Sequence, residues 1–302
     1  MSDQATLLRA LAEGKKNTTE TPPVTVPEKS IPPEASPKRA RIITVTSGKG
    51  GVGKTNCSTA LTYYLHQKGR KVLLLDFDFG MGNTDLLLGN NEKANITHLL
   101  SGDKEVKDVV VQSRYGFDFI KGVRDAKFAD LPKSLLNKLM MGFRELEANY
   151  DDLIIDTGAG AHHAVIQAIM RSDVKLFIVK PERSSWEDAY QIVKHMRQKG
   201  YSKGFKILIN MAKNKQMADL TAKNFVLTCE KSLKVEVQYL GYLLQDEKVA
   251  EAIRSGEIFL AKFPESSASL LFQVAFQGFE VPNEVLRVRN VSYLEALFTN
   301  SG

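Results

Sequence analysis

Cysteine is nearly absent from this 302-residue chain: Cys57 and Cys229 stand far apart and in no CxxC pair. A disulfide framework and a thiolate metal site are thereby excluded. The five histidines show no HxxxH-type spacing, and the adjacent His162 and His163 read as surface or second-layer groups, not metal ligands. No apolar run approaches the roughly 18 residues of a membrane-spanning helix, and the N-terminus lacks the apolar core of a signal peptide. The expected compartment is the cytoplasm. No Lys/Arg block stands out either. The net charge is +6, and residues 1–40 hold six Lys/Arg against five Asp/Glu, so nearly all of the surplus sits on the body. Such a surplus permits contact with an anionic membrane or weak contact with nucleic acid and demands neither.

What is present is a globular composition, 43% hydrophobic and 25% charged, enough to bury a sizeable core in one large α/β domain. The stretch that organises it runs from Ile42 to Thr55. A β-branched apolar run reads as a buried strand and breaks into a glycine-rich turn that opens a helix near Lys54. Gly48, Gly50, Gly51 and Gly53 lack a Cβ, so the backbone can turn successive N–H groups toward a polyphosphate at the positive end of the helix. Lys54 supplies a point charge to the β/γ-phosphates, and the Thr55 hydroxyl is a ligand for Mg²⁺. The expected nucleotide-binding stretch comprises Gly48, Lys49, Gly50, Gly51, Val52, Gly53, Lys54, Thr55 and Asn56.

Two further strand ends carry acids. Lys71 to Asp76 reads as a buried strand whose end carries Asp76-Phe77-Asp78, and Leu153 to Asp156 as another, followed by Gly158 and Gly160. Carboxylates at the carboxyl ends of parallel strands lie where open α/β sheets bind ligands. One can hold Mg²⁺ through water while another orients a water for in-line attack on the γ-phosphorus. A later strand, Phe205 to Ile209, ends in Asn210, whose amide can pair with an adenine edge or serve as a turn residue. Trp186 reads as packed rather than as a base-stacking group.

With Lys49 ahead of Gly50, the string Lys-Gly-Gly-Val-Gly-Lys-Thr resembles the deviant Walker A motif of the MinD/ParA ATPases. The segment from Asp76 to Asp85 resembles the family's DxDxGxxNxD, and Asp152 to Gly160 its Walker B strand. Gly158 stands where MinD has proline, as in the flagellar branch (FlhG/YlxH type), and Lys180 to Tyr190 is similar to the family's TPEPTSxxDAY stretch. The resemblance spans about residues 41–280. It implies a doubly wound, mostly parallel sheet flanked by helices, and Mg²⁺-dependent ATP hydrolysis. By the same resemblance Lys49 reaches the partner's nucleotide in an ATP-bound homodimer. Lys49, Lys54 and Asp78 become catalytic, Thr55, Asp76 and Asp156 serve the metal, Gly80 and Asn83 belong to a γ-phosphate-sensing switch, and Asn210 contacts the base.

The ends of the chain read differently. Residues 3–13 form a short helical patch with Leu7, Leu8 and Leu11 on one side, too short to hold a helix alone in water. Residues 14–40 hold six prolines among Thr, Ser, Lys and Glu, the composition of a disordered tether. Such a motif on a leash is a partner-binding arm or a helix packed on its own domain. Its Asp3-Gln4-Ala5-x-x-Leu8-Arg9 resembles the activator arm of the flagellar branch, which implies a flagellar GTPase of the signal-recognition-particle class as partner. Within residues 281–302, Val291, Leu294, Leu297 and Phe298 make one apolar face of a C-terminal segment that either meets the membrane surface or packs on the domain. The resemblance further implies basal-body switch (C-ring) proteins, a flagellar transcription regulator and peripheral attachment to the cytoplasmic membrane, with no direct nucleic acid. A DNA-segregation ATPase of the ParA kind is the competing expectation. An iron–sulfur carrier would need the paired interface cysteines that this chain lacks, and a tyrosine-kinase relative a C-terminal tyrosine cluster.

Overall fold

The computed structural model describes residues 39–78, 84–89, 95, 98, 103–122, 146–161, 163–277 and 279. The N-terminal arm with Asp3, Gln4, Ala5, Leu8 and Arg9, the residues Gly80 and Asn83, and residues 281–302 lie outside the described set.

Five strands form the centre of the sheet: β1 (Arg41–Thr46), β2 (Val72–Phe77), β5 (Asp152–Thr157) and β6 (Val174–Val179), buried at every position, and β7 (Phe205–Ala212), buried at all but two. Continuous burial is the mark of a parallel sheet covered on both faces. With β3 (Val111–Gln112), β4 (Asp118–Ile120) and β8 (Val237–Leu244) the order is β3-β4-β2-β5-β1-β6-β7-β8. Every pair is parallel except β3 with β4. The chain leaves β1 toward β2 on one side and later passes to β6 on the other. That places the switch point, where open sheets bind ligands, at the carboxyl end of β1.

Alternation along the strands builds two cores. Leu176 and Ile178 face one with Cys57, Leu61 and Phe272, whereas Phe177 and Val179 face the other with Ile192 and Phe225. Helices α1 (Lys54–Gln67) and α9 (Ser267–Ala275) cover the first face, and α4 (His163–Arg171), α5 (Arg183–Gln198) and α6 (Lys215–Leu233) the second. Trp186 packs, partly buried, against the second core, as the sequence predicts. The shorter helices are α2 (Thr84–Leu88), α3 (Val106–Val109), α7 (Glu247–Arg254) and α8 (Phe259–Lys262). Asn214, Asp246 and Ser266 cap α6, α7 and α9 by accepting from the backbone N–H of Met217, Lys248 and Ser269.

The start of β1 is fixed by charge. Asp152, fully buried, accepts from Arg41 Nε at 2.7 Å and from Arg70 Nε, while Arg41 Nη2 donates to the Phe279 carbonyl at 2.5 Å. Asp173 receives the Arg39 guanidinium and the Ile42 N–H, both at 2.9 Å. These contacts set β1 in register between β5 and β6. Among the described residues no helix is long and apolar enough to cross a membrane.

Candidate functional site

The turn between β1 and α1 holds the phosphate loop. Gly53 is the N-cap of α1 in the left-handed region, φ 91°, and no side chain caps the helix, so its first N–H groups remain available to an anion. Gly51 also has positive φ, 69°, and a Cβ there would meet open space. The other glycine demands come from packing. A Cβ on Gly48 would lie 2.3 Å from Asp188 Cβ and 2.5 Å from Ala189 N on α5; one on Gly53 would lie 2.5 Å from Asn210 Nδ2.

Asn210 sits inside β7, which continues through an irregularity to Ala212 instead of ending at Ile209 as its sequence suggests. Its Nδ2 donates to the Val52 carbonyl at 2.8 Å, and its Oδ1 accepts from the Met211 N–H at 2.9 Å, with Met211 at φ 59°. In this chain the asparagine therefore ties β7 to the phosphate loop. One N–H and one lone pair of the amide remain for other partners.

Lys54 points into the site and is 7% exposed. Burial holds its ammonium below the usual lysine range, and the carboxylates of Asp156 and Asp78 draw it back up in part. Asp76 and Asp156 are register partners on adjacent strands. Asp156 is pushed up to about 7, first by burial and then by the Asp76 charge, against the Thr55 hydroxyl and Lys54. Neither of its buried oxygens has a hydrogen bond of regular geometry. Asp76 is pushed up to about 6, chiefly by burial. Unlike its neighbour it is fully hydrogen-bonded, accepting from Asp78 N–H at 3.0 Å and from Thr84 Oγ1 at 2.5 Å. Asp78 faces Gly158, where a Cβ would come within 3.4 Å of its Oδ1.

The donor set fits a magnesium nucleotide. Hard carboxylate and hydroxyl oxygens suit Mg²⁺, and the buried Asp156 carboxylate, beside Thr55 and without a regular hydrogen bond among the described residues, has oxygens to offer a cation. Lys49 is turned the other way. Its Nζ lies 3.1 Å from Ser184 Oγ and 3.8 Å from Glu182 Oε2 of its own chain, at the exposed start of α5. Asn56 is half-buried on the first turn of α1. Sequence reasoning missed Thr84, the Gly48 contact with α5 and Gly122, where a Cβ would sit 2.8 Å from the Asp76 carboxyl carbon. The visible signal for Thr84 was a hydroxyl residue opening a helix just past the DxD acids.

These elements define the class, a P-loop nucleotide-binding protein. Residues 40–207 match the AAA domain family. The chain is 32% identical over 238 residues to the antiactivator FleN of Pseudomonas aeruginosa, covering 78% of this chain and 85% of that protein. It is 26% identical over 265 residues to the flagellum site-determining protein YlxH of Helicobacter pylori, covering 82% and 87%. Among solved structures, the septum site-determining protein MinD of Pyrococcus horikoshii, complexed with Mg-ADP, superposes with a TM-score of 0.65. That match, at 23% identity, covers 80% of this chain and 99% of that one, and shows the fold. The chain belongs to the MinD/ParA-type P-loop ATPases, with the flagellar regulators among its relatives. It is an ATPase, with ATP and Mg²⁺ as its cofactors.

Proposed function

We propose that this chain is an ATP-driven dimerisation switch that regulates flagellar number and placement. The observation that carries the switch is the position of Lys49. It stands at the rim with its side chain 49% exposed, held among the described residues by exposed contacts to Ser184 and Glu182. Exposed pairs of this kind hold by about 0–1 kcal/mol, so a triphosphate on a second subunit outcompetes them. The flagellar part rests on the similarity to FleN and YlxH.

In this reading the loop N–H groups and Lys54 bind the β- and γ-phosphates, and Thr55, Asp76 and Asp156 hold the Mg²⁺. The ion, when bound, neutralises phosphate charge. Asp78, beside the Cβ-free face of Gly158, orients the attacking water. Asn210 fixes the loop and offers its remaining polar atoms to the base, and Asn83 senses the γ-phosphate. Hydrolysis removes the group that Lys49 grips and returns the monomer. The arm with Asp3, Gln4, Ala5, Leu8 and Arg9 stimulates a flagellar GTPase of the signal-recognition-particle class. Residues 281–302 bring the ATP dimer to the inner face of the cytoplasmic membrane, where basal-body switch proteins and a flagellar transcription regulator are met.

The test is size-exclusion chromatography with light scattering on Asp78→Ala. It should bind ATP, dimerise and fail to hydrolyse, and Lys49→Ala should remain monomeric. A monomeric Asp78→Ala with ATP bound counts against the switch. Deleting residues 1–20 should spare ATP binding and abolish GTPase stimulation.

A further inference from the structure

Two acids at neighbouring strand ends are treated differently by this fold, and the difference points to one residue. The torsion that turns an aspartate carboxyl is soft, so burial alone does not fix where its oxygens point. Asp156 has no regular hydrogen bond to either oxygen. Asp76 has a donor on each: the Asp78 N–H at 3.0 Å on Oδ1 and the Thr84 hydroxyl at 2.5 Å on Oδ2. Gly122 supplies a third wall, since a Cβ there would be 2.8 Å from both the carboxyl carbon and the backbone carbonyl of Asp76. Thr84 is 1% exposed, so water does not substitute for its hydroxyl.

Thr84 is itself held. It opens α2, whose far end is anchored by Arg114: the guanidinium donates to the Leu87 carbonyl at 2.9 Å and the backbone N–H to the Leu88 carbonyl at 3.3 Å. The same Nη2 also donates to the Gly256 carbonyl after α7. A chain of contacts therefore runs from the body of the domain through Arg114 and α2 to the Asp76 carboxylate, and from there to the backbone of Asp78.

We propose that Thr84 is a positioning residue for the ATPase reaction: through its hydroxyl it orients the Asp76 carboxylate for the metal and, through Asp76, sets the backbone that carries Asp78. This rests on the ATPase reading above and assigns a role to a hydroxyl outside the phosphate loop, at a position of the Asp76–Asp85 segment that its acids, glycine and asparagine do not define. It separates two tasks: binding the phosphates belongs to the loop, whereas presenting the acids belongs to α2 and its anchors.

The experiment compares Thr84→Val, which keeps the shape and removes the hydroxyl, with Thr84→Ser, which restores it. Loss of a buried hydrogen bond to a charged group predicts a fall in kcat of about tenfold to a hundredfold in Thr84→Val, with KM for ATP held within about threefold. Calorimetry gives a readout independent of turnover. ADP affinity without Mg²⁺ should stay at the wild-type value, while the gain from adding Mg²⁺ should shrink by about tenfold, and Thr84→Ser should recover most of both. Arg114→Leu should show the same pattern in weaker form. The proposal is overturned if Thr84→Val keeps wild-type kcat and Mg²⁺ gain, if Thr84→Ser is as impaired as Thr84→Val, or if Mg²⁺-free ADP binding falls in parallel. Absence of hydrolysis in the unmutated chain would sink the ATPase reading instead, and the calorimetric arm would still decide the role of Thr84.

Discussion

Replacing Asn210 by alanine separates two roles for one side chain. As an adenine contact, the residue matters only when a base is present. As the tie between β7 and the phosphate loop, it matters for every phosphate ligand. The mutation removes the 2.8 Å donor to the Val52 carbonyl and the 2.9 Å acceptor for the Met211 N–H at a site 8% exposed. A net hydrogen bond is worth about 1 kcal/mol, and a buried partner left without its donor adds about 1–3 kcal/mol. Met211, held at φ 59°, loses the acceptor that stabilises its conformation. A loss of about 2–3 kcal/mol in loop preorganisation corresponds to roughly 30- to 150-fold in affinity, at 1.4 kcal/mol per tenfold. The assay is calorimetric titration of wild type and Asn210→Ala with ADP, GDP and pyrophosphate, each with Mg²⁺. The tie predicts that all three weaken by similar factors. Pyrophosphate affinity unchanged alongside a selective loss for ADP would refute it and leave base recognition as the role of this residue.

Other consequences follow from the same contacts. Gly48→Ala forces a Cβ onto the α5 backbone at 2.4–2.5 Å and should cost about 1–3 kcal/mol of stability, with nucleotide affinity falling more than tenfold, read by thermal melts and ADP titration. Asp156 at about 7 and Asp76 at about 6 both lie above the usual carboxylate range, so the folded, nucleotide-free chain retains protons that the unfolded chain has released. Their contribution is full below about pH 4 and is lost as pH rises through about 6 to 7. Calorimetric scans from pH 5 to 7.5 should therefore show Asp156→Asn gaining on wild type as pH rises, and parallel curves would exclude the effect. Asp152→Asn leaves Arg41 and Arg70 facing a neutral group in a fully buried position and should lower stability in urea by about 3–5 kcal/mol without changing nucleotide specificity.

The parts of this molecule that can be read from its sequence are those where one residue type answers one local demand. The strand-turn-helix at Ile42 to Thr55 is legible because β-branched residues, glycines and Lys54 each serve a need that is satisfied within a few residues. The acids at Asp76 and Asp156 are legible as strand ends. Their pairing in register across β2 and β5 is not, because it depends on β5 inserting between β2 and β1 from a point some 75 residues further along the chain. Asn210 was visible as a polar residue after an apolar run. Its partner Val52 was not, because the bond joins residues 158 apart. Thr84 escaped for the same reason in miniature: a threonine opening a helix looks like an ordinary first-turn residue until the fold brings Asp76 back against it.

The loop glycines show how differently one residue type can be used within six positions. At Gly51 nothing lies within 4 Å of a Cβ, so backbone conformation alone calls for glycine. At Gly48 the demand is external, since α5 occupies the space that a side chain would need. The contact that excludes a methyl group also excludes relative movement, because close-packed interiors transmit displacement instead of absorbing it. Lys49 follows Gly48 directly and rests on Ser184 and Glu182 at the start of the same helix. Phosphate loop and α5 are therefore closely packed on the β6 and β7 side of the site, while Lys49 rests on the same helix through weak, exposed contacts. Asp76, Asp78 and Asp156 belong to the β2 and β5 side, with β1 between them. A nucleotide at the carboxyl end of β1 would lie between these two sides.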